Sequence, residues 1–225
     1  MELIEAIKSR KSIRGYKPTP VPKEILAEIL EIATRAPSSL NTQPWEFTVL
    51  GGTVLHDLKD ALEQQFQMGA EPHPDFRPES LMPLTGTYRR RQVELAVELY
   101  RLLGISREDK EKRDQWMLKQ LRAFDAPNVI IVSLDEAISN SPIAMFNLGA
   151  ITQNIALLAV NFGLGTCIQG VLVYYPDIVR RIAGIPQTKK LATGIAIGYP
   201  DWDFPANKLE STREPLANIV TWRGI

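Results

Sequence analysis

Ser-Pro-Ile-Ala-Met-Phe-Asn-Leu-Gly-Ala-Ile-Thr-Gln-Asn-Ile-Ala-Leu-Leu-Ala-Val-Asn-Phe-Gly-Leu-Gly-Thr-Cys-Ile-Gln-Gly, residues 141–170, is the stretch on which the fold turns. Ser141 is an N-cap residue, and Pro142 sits in the first turn, where its missing N–H costs nothing. The next twenty residues carry no charge and are apolar on every face, so they predict a long helix buried all round, ending at Gly163. Asn147, Gln153, Asn154 and Asn161 interrupt it too often for a membrane span, and inside a protein they must find partners. Residues 163–170 read as a glycine-punctuated loop whose backbone can approach a flat ligand, with the amides of Gln169 and Gly170 aimed at it.

The flanks of this helix are strands. Asn128–Leu134 is a continuous apolar run, which predicts a central strand covered on both faces, and 191–198 reads as a second. Tyr175–Ala183 is a short helix. Ser106 with Asp109 resembles a capping box opening a charged helix that reaches about Phe124. Beyond Tyr199 the chain is polar and proline-punctuated yet carries Trp202, Phe204, Ile219, Val220 and Trp222. Such aromatics are costly to leave in water, so residues 200–225 are expected to form an arm that wraps a second copy of the chain.

Upstream, Leu3, Ile4 and Ile7 share a helical face, and Pro22 opens a second helix that stops before Pro37. Glu46–Leu50 alternates as a strand closed by Gly51-Gly52, and residues 53–68 are helical. Ala70–Thr87 is long, proline-rich and without a period, so about 70–105 is read as an insert or lid over a site. Tyr88 and Arg89-Arg90-Arg91 open its amphipathic helix. Three cations at a helix N-terminus oppose the macrodipole, which points to an acidic partner or an anionic substrate, or to a solvated, screened face.

Two stretches can carry ligand chemistry. In Arg10-Lys11-Ser12-Ile13-Arg14 the alternation places two guanidiniums and a hydroxyl on one side of an extended segment, with Ile13 on the other. Arg forks and a hydroxyl suit a phosphate, each charge-assisted bond contributing roughly 1.5–3 kcal/mol. Alone, the cluster is equally a solvated basic turn. Pro37-Ser38-Ser39-Leu40-Asn41-Thr42-Gln43-Pro44 is a polar loop fixed between prolines, able to bond a polar cofactor or simply itself.

Composition narrows the class. At 225 residues, 44% hydrophobic and 23% charged, the chain can build one sizeable core, so 1–225 is read as one domain. Lys plus Arg and Asp plus Glu both number 26, which removes the basic field that nucleic acid requires. One cysteine, Cys167, permits no internal disulfide, and the N-terminus has no apolar signal core, so a cytoplasmic protein is expected. His56 and His73 stand apart from any Cys or carboxylate cluster, so no metal is expected.

The ordered set of Arg10-Lys11-Ser12-Ile13-Arg14, Ala36-Pro-Ser-Ser-Leu-Asn-Thr-Gln-Pro-Trp45, Gly165-Thr-Cys-Ile-Gln-Gly170, Gly194-Ile-Ala-Ile-Gly-Tyr-Pro200 and Arg213 resembles the FMN-dependent nitroreductase family over essentially the whole chain. Tyr88-Arg-Arg-Arg91, Leu102-Leu-Gly-Ile105 and Phe124-Asp-Ala-Pro127 are similar to its nitrobenzoate and nitroaromatic reductase branch. The resemblance implies an α+β fold with a central mixed β-sheet flanked by helices, an intertwined homodimer with an extended C-terminal arm, and FMN at the subunit interface. By position it implies that Arg10, Ser12 and Arg213 hold the phosphate, that Lys11 also binds the cofactor, and that Arg14 sits near the pyrimidine end. Pro37, Ser38 and Ser39 would come from the partner, Asn41 and Gln43 would face the ribityl chain or ring edge, and the Ile168-Gln169-Gly170 backbone would face N5. Arg14 stands where some members carry lysine, and Gln169 where some carry glutamate. Tyr88, Arg89, Lys119 and Arg122 fall at substrate positions.

The implied reaction is a ping-pong transfer of hydride from NADH or NADPH, through FMN, to an electron-poor acceptor such as a nitrobenzoate. No acid or base side chain stands out, and 163–170 lacks the Gly-x-Gly-x-x-Gly of a dinucleotide-binding domain. The same fold would serve a flavin or quinone reductase, an enone reductase or a dehalogenase. A flavin-binding protein without nitroreductase turnover is the reading from another class.

Overall fold

In the computed structural model, which describes every residue except 78–80, four strands form one sheet among the described residues. They are β1 (Glu46–Gly51), β2 (Asn128–Asp135), β3 (Gly165–Gln169) and β4 (Lys189–Gly198), in the order β1-β2-β4-β3. The helices are α1 (Leu3–Ser9), α2 (Lys23–Ala33), α3 (Gly52–Gln67), α4 (Gly86–Leu103), α5 (Lys110–Leu121), α6 (Pro142–Asn161) and α7 (Pro176–Ala183).

Alternation along the two central strands sets the layers. Ile130, Val132 and Leu134 of β2 join Ile195 and Ile197 of β4 on one face, where α2 and α6 cover them with Leu26, Ile29, Leu148, Ile151 and Ile155. Val129, Ile131 and Ala196 point the other way, under Leu58 and Leu62 of α3, Trp116 and Leu121 of α5, and Val179 of α7. β2 is therefore buried along all but its last residue, as a run without polar alternation requires. All strand pairs are antiparallel. The parallel component of the expected mixed sheet is confined to a single bridge, Ser12 to Thr166, where the chain after α1 lies along β3.

The stretch 163–170 corrects one expectation. Gly165–Gln169 is a strand rather than a loop, and packing requires Gly165 there: a Cβ on it would lie 2.4 Å from Ile13 Cγ1 and 3.0 Å from Pro200 Cγ. A five-residue strand holding two polar residues, a cysteine and a glycine has no periodic signature in the sequence.

α6 starts as expected, with Ser141 Oγ accepting from Ala144 N at 3.4 Å and Pro142 in the first turn. It is not buried all round. Ala144, Asn147, Leu148, Ile151, Ile155 and Ala159 face the sheet, while Ile143, Phe146, Gly149 and Gln153 are exposed, Phe146 by 76%. Its polar residues are accounted for: Asn147 Oδ1 accepts from Ser39 N, Asn154 Nδ2 donates to Ala33 O, Asn161 Oδ1 accepts from the Met1 amino group, and Gln153 faces out.

The insert is anchored at its base. Arg180 of α7, buried, pairs with Asp75 and donates to Lys189 O, and Asp75 also accepts from Leu191 N. Residues 78–80 of the expected lid lie outside the described residues. α4 has no buried residue and ends at Gly104, whose φ of 64° only glycine adopts without strain. α5 begins later than expected: Asp109 is itself the N-cap, accepting from Lys112 N at 3.0 Å, and the helix stops at Leu121 rather than near Phe124. There Ala123, Phe124 and Asp125 all take left-handed φ values of 53°, 54° and 62°. Phe124 is held buried against Trp116, with ring centroids 5.3 Å apart.

The tail divides in two. Residues 201–209 pack on their own chain through Ala206, Asn207 and Leu209, whereas Leu216, Ile219, Trp222 and Ile225 are exposed, as is Trp202.

Candidate functional site

The bridge to β3 gives residues 10–14 their geometry. Ile13 N donates to Thr166 O at 2.9 Å, so the segment runs extended along the sheet edge. Its side chains then alternate: Ile13 is 2% exposed in the core, and Arg10, Ser12 and Arg14 emerge on the other side. These three, with Lys11, line one cavity of about 90 Å³ closed by Leu95 of α4 and by Leu209 and Ser211 of the tail. Arg14 is oriented further, because its Nη1 donates to Ser12 O at 3.2 Å.

Arg213 lines the adjoining cleft of about 700 Å³ between α4 and the tail, which shares Leu95, Leu209 and Ser211 with the smaller cavity. Its Nη1 donates to Ser211 O, Ser211 Oγ and Thr212 O. The structure thus brings Arg10, Lys11, Ser12, Arg14 and, next door, Arg213 to one place. Leu95, Leu209 and Ser211 went unnoticed in the sequence. Only Leu209 and Ser211 left a trace, two residues apart and leading to Arg213 on one side of an extended segment.

Under this edge the groups are dry. Burial pushes the Cys167 thiol up, with Arg14, Ser12 and Arg10 opposing it. Burial likewise raises the Tyr16 phenol well above its ordinary value, and its hydroxyl donates to Ala196 O. Both stay neutral at pH 7, so the cations above keep their charge for a ligand.

Beside the cluster, Ile168 is 44% exposed on edge strand β3. Gln169 pairs with Gly194 of β4 and turns its side chain inward, where Nε2 donates to Gln120 O and buried Oε1 has no partner among the described residues. Gly170 begins a short 3-10 turn.

The polar loop lies elsewhere in the chain. Ser39 N is held by Asn147 Oδ1 at 3.3 Å, near the N-terminal end of α6, and Gln43 N donates to Ser38 Oγ. Gln43 Nε2 donates to Asn41 Oδ1. Leu40, Asn41 and Gln43 have φ of 53°, 56° and 43°, and Leu40 is 95% exposed. Lys11 and Ile13, by contrast, border Val160 at the other end of α6. At 1.5 Å per residue, Asn147 and Val160 are about 20 Å apart. One chain therefore does not bring Pro37, Ser38, Ser39, Asn41 and Gln43 to the arginine cluster.

The remaining cations have partners of their own, and Arg90 and Arg91 also line the cleft of Arg213. Arg89 is held by Gln92, Arg90 by Glu94 and Arg91 by Glu214, so the acidic partner of this triplet is largely the protein itself. Tyr88 is exposed. Lys119 pairs with Asp125 at 2.8 Å and lies 5.1 Å over the Phe204 ring, which packs on Gly15. Arg122 is engaged by Asp60 and Glu63 of α3, at 2.8 and 2.9 Å.

Comparison with known proteins gives a consistent picture. The profile of the Nitroreductase family matches residues 7–199. A 4-nitrobenzoate reductase of Nocardioides sp. (strain LMS-CY) is 32% identical over 232 residues, spanning 99% of this chain and 90% of that protein. The crystal structure of an FMN and NADPH-dependent nitroreductase NfnB from sphigopyxis sp. strain HMH superposes with a TM-score of 0.94 at 32% identity over all of both chains. That of the FMN-dependent nitroreductase NfnB from Mycobacterium smegmatis, in complex with NADPH, gives 0.91 at 27% identity over 99% of this chain and all of the other.

Proposed function

This chain belongs to the nitroreductase family, and we propose that it is an FMN-dependent oxidoreductase passing hydride from NADPH or NADH to an electron-poor acceptor, of which a nitrobenzoate is the first to try. The observation that carries the reading is the convergence of Arg10, Ser12 and Arg14 on one cavity at the β3 edge, with Arg213 in the adjoining cleft. Two guanidiniums and a hydroxyl in reach of one point, with a third guanidinium beside them, are the donor set a phosphate monoester requires.

The bound flavin would accept and release hydride. The protein's part is to hold and polarise it. Arg10, Lys11, Ser12 and Arg213 take the phosphate. Arg14, fixed through Ser12 O, sets a positive charge where negative charge develops on reduction. Ile168, exposed on the edge strand, offers an apolar wall to the ring. α4, within the 70–105 insert, closes the cleft from outside and is the natural lid, with Tyr88 and Arg89 at its opening turn. Lys119 stands near the acceptor side, over Phe204.

The working unit is a homodimer. The loop 37–43 and the cluster 10–14 sit about 20 Å apart along α6 in one chain. The outer face of α6 exposes Ile143 and Phe146 beside Gly149 and Gln153, and α1, with exposed Leu3, Ile4 and Ile7, contacts α6. Two chains packed through these faces with α6 antiparallel would bring each Pro-Ser-Ser loop over the other chain's arginines. The single buried thiol fits the cytoplasm.

Absorption spectra of the purified protein test the scheme. A bound flavin that bleaches on anaerobic addition of NADPH or NADH and recovers with 4-nitrobenzoate is the expected result. A colourless protein that FMN cannot reconstitute would overturn it. The phosphate assignment is tested separately with Arg10→Ala/Arg213→Ala, which should weaken FMN binding by about a hundredfold or more with the far-UV circular dichroism unchanged.

A further inference from the structure

We propose that Asn207 is a positioning residue for the flavin, tying the backbone of Arg14 to the C-terminal segment that carries Ser211 and Arg213; the inference rests on residues 10–14 and 213 being the FMN site. Asn207 is 1% exposed. Its Oδ1 accepts from Arg14 N at 2.6 Å, and its Nδ2 donates to Gly15 O at 2.8 Å and to Asp201 O at 2.7 Å. The partners fix the orientation of the amide, because a backbone N–H can only donate and the two carbonyls can only accept. Both Nδ2 hydrogens and the carbonyl oxygen are spent on backbone.

These three bonds do more than close a turn. Asp201 N already donates to Gly15 O, and Phe204 fills the space a side chain at Gly15 would take, its Cγ lying 2.4 Å from where a Cβ would be. The contact that Asn207 alone supplies is the one to Arg14 N. It fixes the Cα from which the Arg14 guanidinium reaches out, and Ser12 O fixes the other end. From the same residue the chain runs on through Leu209, 4% exposed, to Ser211, both lining the cavity of Arg10, Ser12 and Arg14. One side chain thus sets the spacing between the N-terminal and C-terminal halves of the anion site. A leucine of the same length would leave an N–H and two carbonyls without this partner in a dry setting. An aspartate keeps the acceptor for Arg14 but sets a carboxylate against two carbonyls.

The test uses Asn207→Leu and Asn207→Asp in the full chain, with Val179→Ala in buried α7 as a destabilised control remote from the site. Two quantities are read: the FMN dissociation constant, by titrating apoprotein, and the flavin midpoint potential of the holoprotein. The expected result for Asn207→Leu is about tenfold weaker binding and a more negative potential, because the positive charge no longer meets the reduced ring. Asn207→Asp should lose about threefold in affinity with a smaller shift of potential. Val179→Ala should lower the melting temperature and leave both quantities as in the parent protein.

A purely structural role would move the melting temperature alone. Unchanged affinity and potential in both Asn207 variants would therefore overturn the proposal, as would equal changes in Val179→Ala. If Asn207→Leu does not fold, Asn207→Asp decides alone: parental affinity and potential refute the proposal. A parent protein that binds no FMN fails before any variant is made, and takes the site reading down with the inference.

Discussion

Arg91 on α4 and Glu214 in the tail form an ion pair at 2.5 Å across 123 residues of sequence, and Asn218 donates to the same carboxylate at 2.6 Å. α4 packs Leu99, Tyr100 and Leu103 half-buried against the core, and this contact adds a charged tie between the insert and the segment bearing Arg213. Arg91→Gln and Glu214→Gln should each speed chymotryptic cleavage at Leu216 and Trp222, and Arg91→Glu/Glu214→Arg should restore protection. Asn218 first, then Arg91, holds the Glu214 carboxyl below its ordinary value of 4.5. A lowered carboxyl contributes above that value and is lost as the pH falls through the folded one. Protection should hold at neutral pH and fail in acid; equal cleavage throughout would reject the tie.

Arg180 and Asp75 hold the base of the insert by a buried pair. Arg180→Met leaves Asp75 charged and buried, and should cost about 3–5 kcal/mol in urea unfolding. Added salt should scarcely change the parent protein's stability through this pair, because buried charges escape screening. A loss of under about 1 kcal/mol, the range of exposed pairs, would show that water reaches the site.

Gly165→Ala should act through Ile13. The added Cβ overlaps Ile13 Cγ1, and relief of such overpacking typically costs about 1–3 kcal/mol in displaced backbone. Since Ile13 sits between Ser12 and Arg14, FMN affinity should fall with stability. In an Ile13→Ala background the penalty of Gly165→Ala should shrink, a coupling that a double-mutant cycle reads directly. Additive effects would place the strain elsewhere.

Phe146 tests the assembly. It is exposed on the outer face of α6, so Phe146→Glu should leave the fold of one chain intact. Sedimentation should show a dimer for the parent and a monomer for the variant, and FMN should be lost with the proposed partner's loop. A Phe146→Glu protein that stays dimeric and yellow would put the interface on another face.

Elements with a period were legible, and elements fixed by contact were not. Asn128–Leu134 announced a doubly covered strand because its apolar residues run on without the alternation of a half-exposed strand, and Ser141-Pro142 announced the start of α6 through capping chemistry alone. Arg10, Ser12 and Arg14 were readable because alternation is a local property. Gly165–Gln169 was not, since its strand character comes from β4 and from the chain after α1. Composition also misled on α6: apolar residues all round it suggested burial all round, yet its outer face is buried by nothing within the chain. Asn207 carried no signal, because an asparagine before a lysine in a polar tail looks like solvent-facing chain until its three backbone partners, two of them 192 and 193 residues away, are known.

Leu40, Asn41 and Gln43, and Ala123 to Asp125, keep non-glycine residues in left-handed backbone, at a cost of order 1–3 kcal/mol each. Both stretches border the proposed site, one through the loop that would reach the partner, the other through the Asp125 that holds Lys119. A laboratory lineage selected for heat tolerance alone should therefore collect glycine at 40 and 123, or asparagine at exposed 40, where the change relaxes the backbone at little loss of packing. Selected for turnover, the same lineage should shed them. Where the two regimes disagree marks the residues whose discomfort the reaction uses.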